Sequence, residues 1–240
     1  LEVRAEQLRN SLLSSVSHDL RTPLATIAGT SSSLLEGESS PTRRESLQIV
    51  VDESRRLARL VDNLLDMAKL ESGQVSLDRQ WHVIEELVGS ALSRVQSVLQ
   101  CHSIRTVVPA DLPLLYADGL LLEQLLVNLL ENAARHTPPG SEVEIAARKC
   151  GDQMEIHVAD NGPGLPSGTE HKIFEKFFQA NRLTPDGRRG VGLGLAISRS
   201  IVEAHGGHIQ ARNRASGGAE FVIRLPNQKP PPPMELDVVQ

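Results

Sequence analysis

Apolar or small residues recur at alternating steps of three and four along the first third of the chain. Between residues 42 and 70 these positions are Leu47, Val50, Ser54, Leu57, Val61, Leu64 and Ala68. A seam of this period over three heptads is typical of helices that pack side by side. The stretch 37–41 (Gly-Glu-Ser-Ser-Pro) interrupts the pattern. Residues 1–72 are therefore predicted to form an all-α helical hairpin, with helices at about 6–36 and 42–71.

Two helices alone bury too little apolar surface to be stable. We therefore expect the hairpin to form a four-helix bundle with a second copy of itself, which makes the protein a homodimer.

After a linker at 73–80, short alternating stretches are separated by longer amphipathic ones. Helices are predicted near 83–100, 119–136 (with Asp118 as N-cap) and 191–205, and strands near 75–80, 103–108, 113–117, 142–149, 153–159, 208–213 and 219–225. This order predicts an α+β sandwich over residues 81–228, a mainly antiparallel sheet with helices on one face. Four consecutive prolines in the tail 229–240 predict a disordered or extended segment.

Composition narrows the possible functions. Apolar residues make up 40% and charged residues 23%, which is ordinary for a globular protein. No apolar run approaches the ~18 residues of a membrane-spanning helix, and the charged first residues do not resemble a signal peptide. A net charge of -5 and few aromatic residues argue against a nucleic-acid partner. Cys101 and Cys150 lie far apart, which predicts free thiols and a cytoplasmic location.

A histidine stands on the polar side of the first predicted helix. At about 100° per residue, the apolar stripe of this helix lies opposite His18. Spacing alone favours an ordinary solvated histidine, but two neighbours change that interpretation. Asp19 can accept a hydrogen bond from one imidazole nitrogen and leave the other nucleophilic, and the Thr22 hydroxyl, one turn along, could hold a water molecule.

Two asparagines are spaced for cation binding on the helix predicted at 119–136. Asn128 and Asn132 stand four residues apart and share one face. Their neutral oxygens can ligate Mg²⁺ without cancelling the charge that attracts phosphates. A pair of polar surface residues is the alternative.

Two glycine-containing strings follow. In the first, Asp160 ends a predicted strand, and Gly162 and Gly164 allow a ligand to approach the backbone, which suits recognition of a base amine. As a bare turn, this string is common. In the second, Gly190, Gly192 and Gly194 open a predicted helix, whose N-terminus can bind an anion. Their spacing differs from dinucleotide-binding and P-loop motifs.

These strings resemble those of the sensor histidine kinases. HDLRTPL at 18–24, with VDNLLDMAKLESG at 61–73, resembles the phosphoacceptor motif and hairpin of that family. Residues 128–137, 160–165 and 190–195 resemble, in order, the N, G1 and G2 boxes of the Bergerat or GHKL fold. That fold is shared by histidine kinases, DNA gyrase, Hsp90 and mismatch-repair ATPases. Residues 173–178 (Ile-Phe-Glu-Lys-Phe-Phe) resemble the F box of the kinase branch.

The resemblance implies a site for ATP and Mg²⁺. Asp160 would hold the adenine amine, and Asn132 would ligate Mg²⁺. The residues expected near the phosphates are Asn128, Arg135 and His136. The remaining positions that the resemblance assigns to the pocket or to the ends of a mobile lid are Gly162, Gly164, Lys176, Gly190, Gly192, Leu193 and Gly194.

The resemblance also implies a reaction. ATP would phosphorylate His18, with Asp19 as general base or orienting group, and a response regulator would then accept the phosphoryl group on an aspartate. Thr22 would orient water for the reverse task, dephosphorylation of the regulator. The strings WHVIEELVGSAL at 81–92 and GVGLGLAISRSIVEAHGGHIQARNRASGGAEF at 190–221 are similar to those of potassium-responsive members. They imply that the protein controls potassium uptake. They also imply that it attaches to a membrane only through segments upstream of this chain.

Three positions bear on the alternatives. ATP-hydrolysing relatives carry a glutamate four residues before the metal asparagine, where this chain has Asn128. Gln179 stands where kinase lids often carry an arginine, and His136 where a tyrosine or phenylalanine is frequent. Two other functions remain open: a conformational ATPase of the gyrase type, and a non-catalytic dimer scaffold that binds nucleotide.

Overall fold

A computed structural model describes residues 22, 24–36, 38–71, 77–179 and 192–228, with the backbone alone at 55, 56, 59, 60 and 62–71. The chain divides into two compact units, Leu1–Val75 and Ser76–Gln240. His18, Asp19, Gly190 and the tail 229–240 lie outside the described residues.

The first unit is mainly helical where it is described. Helix α1 covers residues 24–36, with Thr22 also helical, and helix α2 covers Pro41–Glu71. α2 begins at a proline, whose missing N–H costs no hydrogen bond in the first helical turn. Large apolar side chains remain exposed on both helices: Ile27, Leu34, Ile49, Val50 and Leu57. Such side chains are what a hairpin that pairs with a second copy is expected to present.

The second unit is an α+β domain, as predicted. Its strands are β1 (Arg79–His82), β2 (Ser103–Val107), β3 (Leu115–Asp118), β4 (Glu142–Cys150), β5 (Gln153–Asp160), β6 (His208–Asn213) and β7 (Ala219–Pro226), and its helices are α3 (Ile84–Leu99), α4 (Gly119–His136), α5 (Gly194–Ala204) and a 3₁₀ turn at Lys172–Phe174. The main sheet has the order β2-β4-β5-β7-β6. Its pairs are antiparallel except β2–β4, which is parallel.

Sequence reasoning did not anticipate the second sheet. β1 and β3 form a separate antiparallel ribbon, in which Arg79 lies opposite Asp118. The strand predicted near 75–80 begins later, at Arg79. This ribbon carries the chain directly to the start of α4.

The core lies between the main sheet and its helices. β4 alternates as predicted, with Val143, Ile145 and Ala147 buried. The leucine-rich stretch of α4 buries Leu122, Leu125, Leu126, Leu129 and Leu130. Within the described ranges, no helix is long and apolar enough to cross a membrane.

Three helix ends position the site. Asp118 caps α4 as predicted, since its Oδ1 accepts a hydrogen bond from Leu121 N–H at 3.2 Å. α5 begins at Gly194, three residues after the predicted start, because Gly192 has φ +72° and cannot continue a right-handed helix. Gly206, with φ +75°, ends α5 and donates to the carbonyl of Glu203. A glycine in this left-handed conformation is a common C-terminal cap of helices.

Polar side chains cover the opposite face of the sheet around Glu155. This residue is only 4% exposed. Its carboxylate accepts hydrogen bonds from Arg224 Nε at 2.7 Å and from Arg148 Nη2 at 2.6 Å. These guanidinium groups hold the pKa of Glu155 low, at about 2. Glu155 is therefore ionised and paired at neutral pH.

Candidate functional site

The asparagine pair lies in the second half of α4, and both side chains are half-buried. Asn128 Nδ2 donates a long hydrogen bond, 3.5 Å, to the carbonyl oxygen of Gly194 at the start of α5. A Cβ atom on Gly194 would lie 4.0 Å from the side chain of Asn128. The folded chain therefore brings the N-box asparagine against the last glycine of the second glycine string.

Asn132 lies one turn further along α4. Within the described residues, its carboxamide makes no hydrogen bond, so its oxygen is available to a ligand. Mg²⁺ prefers oxygen ligands and is usually held by one or two protein groups together with water and phosphate oxygens. A half-buried carboxamide oxygen of this kind fits a nucleotide-bound Mg²⁺.

Asp160 is the last residue of β5 and is only 6% exposed. Its Oδ1 accepts hydrogen bonds from the backbone N–H groups of Gly162, at 2.9 Å, and Ala219, at 3.2 Å. No donor among the described residues reaches its Oδ2. The two backbone bonds fix the orientation of the carboxylate while one oxygen can still accept a hydrogen bond from a ligand.

Close packing shapes the turn after Asp160. A Cβ atom on Gly162 would lie 2.5 Å from Thr137 Cγ2, and one on Gly164, which has φ +78°, would lie 2.6 Å from Asn213 Oδ1. Asn213 holds the turn by accepting from Leu165 N–H at 2.6 Å and donating to its carbonyl at 2.8 Å. Both glycines are therefore needed for a turn this close to its neighbours.

A third glycine supports Asp160 from the other side. Gly218 has φ +90°, and a Cβ atom there would overlap the carbonyl oxygen of Asp160. The next residue, Ala219, supplies one of the two N–H groups that hold the carboxylate. The approach of β7 to β5 is thus part of the site.

The F-box segment meets the second glycine string. Phe177 N–H donates to the carbonyl oxygen of Gly192 at 2.9 Å. Phe177 has φ 61°, unusual for a bulky residue, and is 62% exposed. Lys176 is exposed beside it, and Leu193 is buried. This hydrogen bond therefore joins the residues just before the segment 180–191 to the residues just after it.

Two basic residues end α4. Arg135 Nη2 lies 4.0 Å from Glu131 Oε2, and both side chains are partly exposed. Desolvation lowers the pKa of His136, the charge of Arg135 lowers it further, and the nearby charge of Asp160 opposes both. The imidazole of His136 is therefore neutral at pH 7 and lies within electrostatic reach of the Asp160 carboxylate.

The structure thus assembles one site from distant parts of the chain. α4 contacts the second glycine string through Asn128 and approaches Asp160 through its C-terminal end. Thr22, an exposed residue of α1, belongs to the other unit.

Sequence reasoning missed four residues that shape the site: Thr137, Asn213, Gly218 and Ala219. The signal for Thr137 was its position as the last residue of the N box, directly after the predicted helix. The pair Gly217-Gly218 before a predicted strand also pointed to a close backbone approach. Nothing local in the sequence indicated Asn213, because its partner Leu165 lies 48 residues away.

Two families match the chain. Residues 8–73 match the family described as "His Kinase A (phospho-acceptor) domain". Residues 117–229 match the family described as "Histidine kinase-, DNA gyrase B-, and HSP90-like ATPase". Together these ranges include the candidate nucleophile and the candidate nucleotide site.

Individual relatives match nearly the whole chain. It is 45% identical over 229 residues to the sensor protein KdpD of Escherichia coli K12, covering 94% of this chain and 25% of that protein. It is 40% identical over 231 residues to the sensor protein KdpD of Clostridium acetobutylicum, covering 95% of this chain and 26% of that protein. The chain therefore spans about a quarter of the length of these curated relatives.

Solved structures share the fold. Full-length ShkA, in complex with AMPPNP, superimposes with a TM-score of 0.75 at 29% identity, covering 90% of this chain and 45% of that chain. The mycobacterial sensor histidine kinase MprB superimposes with a TM-score of 0.56 at 28% identity, covering 63% of this chain and 99% of that one.

Proposed function

We propose that this chain, which belongs to the sensor histidine kinases, uses ATP to phosphorylate His18 and passes the phosphoryl group to an aspartate of a response regulator. The observation that carries the proposal is the Asp160 carboxylate, which is buried, fixed by two backbone N–H groups and left with one accepting oxygen. That arrangement suits the amine of a nucleobase. AMPPNP in the related ShkA structure supports a nucleotide in this fold.

The phosphates and Mg²⁺ are placed along the second half of α4. Asn132 would hold Mg²⁺, which when bound neutralises phosphate charge. Asn128, Arg135 and the neutral His136 lie on the second half of α4 and can donate hydrogen bonds to phosphate oxygens. Gly192 and Gly194 allow the backbone before α5 to approach an anion. Lys176 supplies a further positive charge at the F-box side.

The chain is poorly equipped to hydrolyse ATP by itself. A water-activating carboxylate is expected four residues before the metal asparagine, and Asn128 is neutral and directed at Gly194. The nearest carboxylate on α4, Glu131, lies beside Arg135. Phosphoryl transfer depends mainly on positioning and charge stabilisation. A separate nucleophile such as His18, with Asp19 as base or orienting group, fits this site better than water does.

The first unit is proposed to dimerise and to receive the regulator. Leu34 and Ile49 are 58% and 63% exposed, which is unfavourable in a lone hairpin and is relieved by a second copy. Dephosphorylation of the regulator through Thr22 is a second proposed activity of this unit.

The similarity to two KdpD proteins supports a more specific role. The proposed signal is potassium supply, and the proposed output is control of potassium uptake. This part of the protein is proposed to work in the cytoplasm.

Nucleotide binding tests the central observation. Calorimetry with Mg²⁺ and AMPPNP, which does not transfer its terminal phosphoryl group readily, is expected to show one site per chain. Asp160→Asn should weaken binding by at least tenfold, because it removes the charged acceptor of the amine. Asp152→Asn, an exposed aspartate in the β4–β5 turn, is the matched control. Equal affinity of both variants and the wild type would contradict the proposed site.

A further inference from the structure

A histidine and a threonine lie behind the turn that carries Asp160. Thr137, which follows α4, donates its hydroxyl hydrogen to the carbonyl oxygen of Ala133 at 2.8 Å. The hydroxyl has no second hydrogen, so its contact with His102 Nε2, at 2.9 Å, is a bond donated by the ring. His102 Nδ1 is buried and has no partner in the described part of the chain. Thr137 is therefore the one hydrogen-bonding partner of that ring among the described residues.

Two backbone hydrogen bonds deliver the histidine to this place. Gly140 N–H donates to the carbonyl oxygen of Cys101 at 2.6 Å, and Ser103 N–H donates to that of Ser141 at 2.9 Å. These bonds flank His102 and tie the start of β2 to the loop after α4. The ring is thus held from both sides against Thr137.

The methyl group of Thr137 transmits this constraint to the turn. A Cβ atom on Gly162 would lie 2.5 Å from Thr137 Cγ2, so the methyl group packs directly on the Gly162 backbone. Gly162 N–H in turn donates to Asp160 Oδ1. The hydroxyl donates one hydrogen bond and accepts another, and together these fix χ1 of Thr137. The fixed methyl group then limits where Gly162 and the Asp160 carboxylate can lie.

From this chain of contacts we infer that His102 and Thr137 are positioning residues for nucleobase recognition. They act through Gly162, which keeps the Asp160 carboxylate in the orientation that accepts a hydrogen bond from the 6-amino group of adenine. The inference rests on the proposed function, since it takes ATP as the nucleotide.

The test compares two nucleotides on the full chain. Affinities for ATP and for purine riboside triphosphate, which lacks the 6-amino group, are measured by calorimetry with Mg²⁺. The wild type should prefer ATP. His102→Ala should weaken ATP binding about fivefold, the equivalent of one hydrogen bond, and leave the other nucleotide unchanged. His102→Gln, whose amide can donate to Thr137, should restore most of the preference.

Two substitutions at Thr137 separate its hydroxyl from its methyl group. Thr137→Val keeps a methyl group but cannot hydrogen-bond, and Thr137→Ser keeps the hydroxyl but leaves space beside Gly162. Both substitutions should reduce the ratio of the affinity for ATP to the affinity for purine riboside triphosphate. His208→Ala, at an exposed residue of β6 that pairs with β7 far from Asp160, should not.

The outcomes distinguish the positioning role of His102 and Thr137 from the proposed nucleotide site at Asp160. An unchanged preference for ATP in His102→Ala and Thr137→Ser, with Asp160→Asn still impaired, would overturn this inference alone. If Asp160→Asn also bound ATP normally, the proposed site itself would fail. Should His102→Ala not fold, Thr137→Ser decides the question by the same ratio.

Discussion

His205 Nε2 accepts a hydrogen bond from the backbone N–H of Asp118 at 3.0 Å. The other ring nitrogen, Nδ1, lies 2.8 Å from the carbonyl oxygen of Ile201. The bonds require a neutral ring with its hydrogen on Nδ1. Because Asp118 caps α4 and His205 follows α5, this neutral ring joins the two helices that frame the site.

Stability is expected to fall as the pH is lowered below about 6.5, the ordinary pKa of histidine. Burial lowers the pKa of His205, and desolvation lowers that of His136. Below 6.5 the unfolded chain therefore binds protons that the folded chain does not, until the pH reaches the lowered pKa values. Urea unfolding between pH 7.5 and 5.5 measures this slope.

His205→Asn should lose part of that slope and about 1–2 kcal/mol of stability at pH 7.5. His208→Asn, at an exposed position three residues along, is the control. A slope identical to the wild type in His205→Asn would mean that the ring does not couple folding to pH.

Gly218→Ala is expected to damage the site, whereas Gly217→Ala is not. Both glycines have φ near +90°, so the backbone strain of a side chain is similar. Only at position 218 would the added methyl group meet Asp160, while nothing lies within 4 Å at position 217. AMPPNP affinity should fall at least tenfold in the first variant relative to the second. Similar affinities would show that β7 does not need to approach Asp160 closely.

Glu155→Gln should lower the free energy of unfolding by about 1–3 kcal/mol, because two arginines lose their buried charged acceptor. Since the pKa of Glu155 is lowered to about 2, the wild-type contribution is complete above pH 4.5 and disappears as the pH falls toward 2. Glu144→Gln is the control: Glu144 pairs with the exposed Arg105 at 3.1 Å, so the loss should be below about 1 kcal/mol. Equal losses of unfolding free energy in the two variants would show that the buried ion pairs of Glu155 contribute no more than an exposed pair.

Thr22→Ala should leave autophosphorylation intact and slow dephosphorylation of the response regulator by at least tenfold, because it removes the hydroxyl proposed to orient water. Thr26→Ala is the matched control, since Thr26 is exposed one turn further along the helix and its Oγ1 donates to the Thr22 carbonyl oxygen. The readout is loss of label from the phosphorylated regulator. Equal rates in Thr22→Ala and the wild type would remove this residue from the reaction.

Local patterns predicted most of the secondary structure and the α+β class, and the resemblance of the motifs to those of sensor histidine kinases implied the ATP-binding fold. The alternation in 142–149 and the leucines of α4 are local signals that tertiary packing reinforces. The start of α5 was placed too early, because apolar periodicity does not register the left-handed backbone of Gly192. The contacts of Asn213 and His102 depend on strand order and on chain segments far apart in sequence. Such contacts arise from tertiary packing, so no short window of sequence contains them.

The proposed reaction transfers the γ-phosphoryl group of ATP to His18. The most direct measurement incubates the chain with γ-labelled ATP and Mg²⁺, compares the wild type with His18→Gln, and tests the label in acid and alkali. A phosphohistidine at position 18 predicts a label that is acid-labile, alkali-stable and absent from the variant. Label that persists in His18→Gln would place the nucleophile elsewhere, and a wild type that hydrolyses ATP without becoming labelled would identify a conformational ATPase instead.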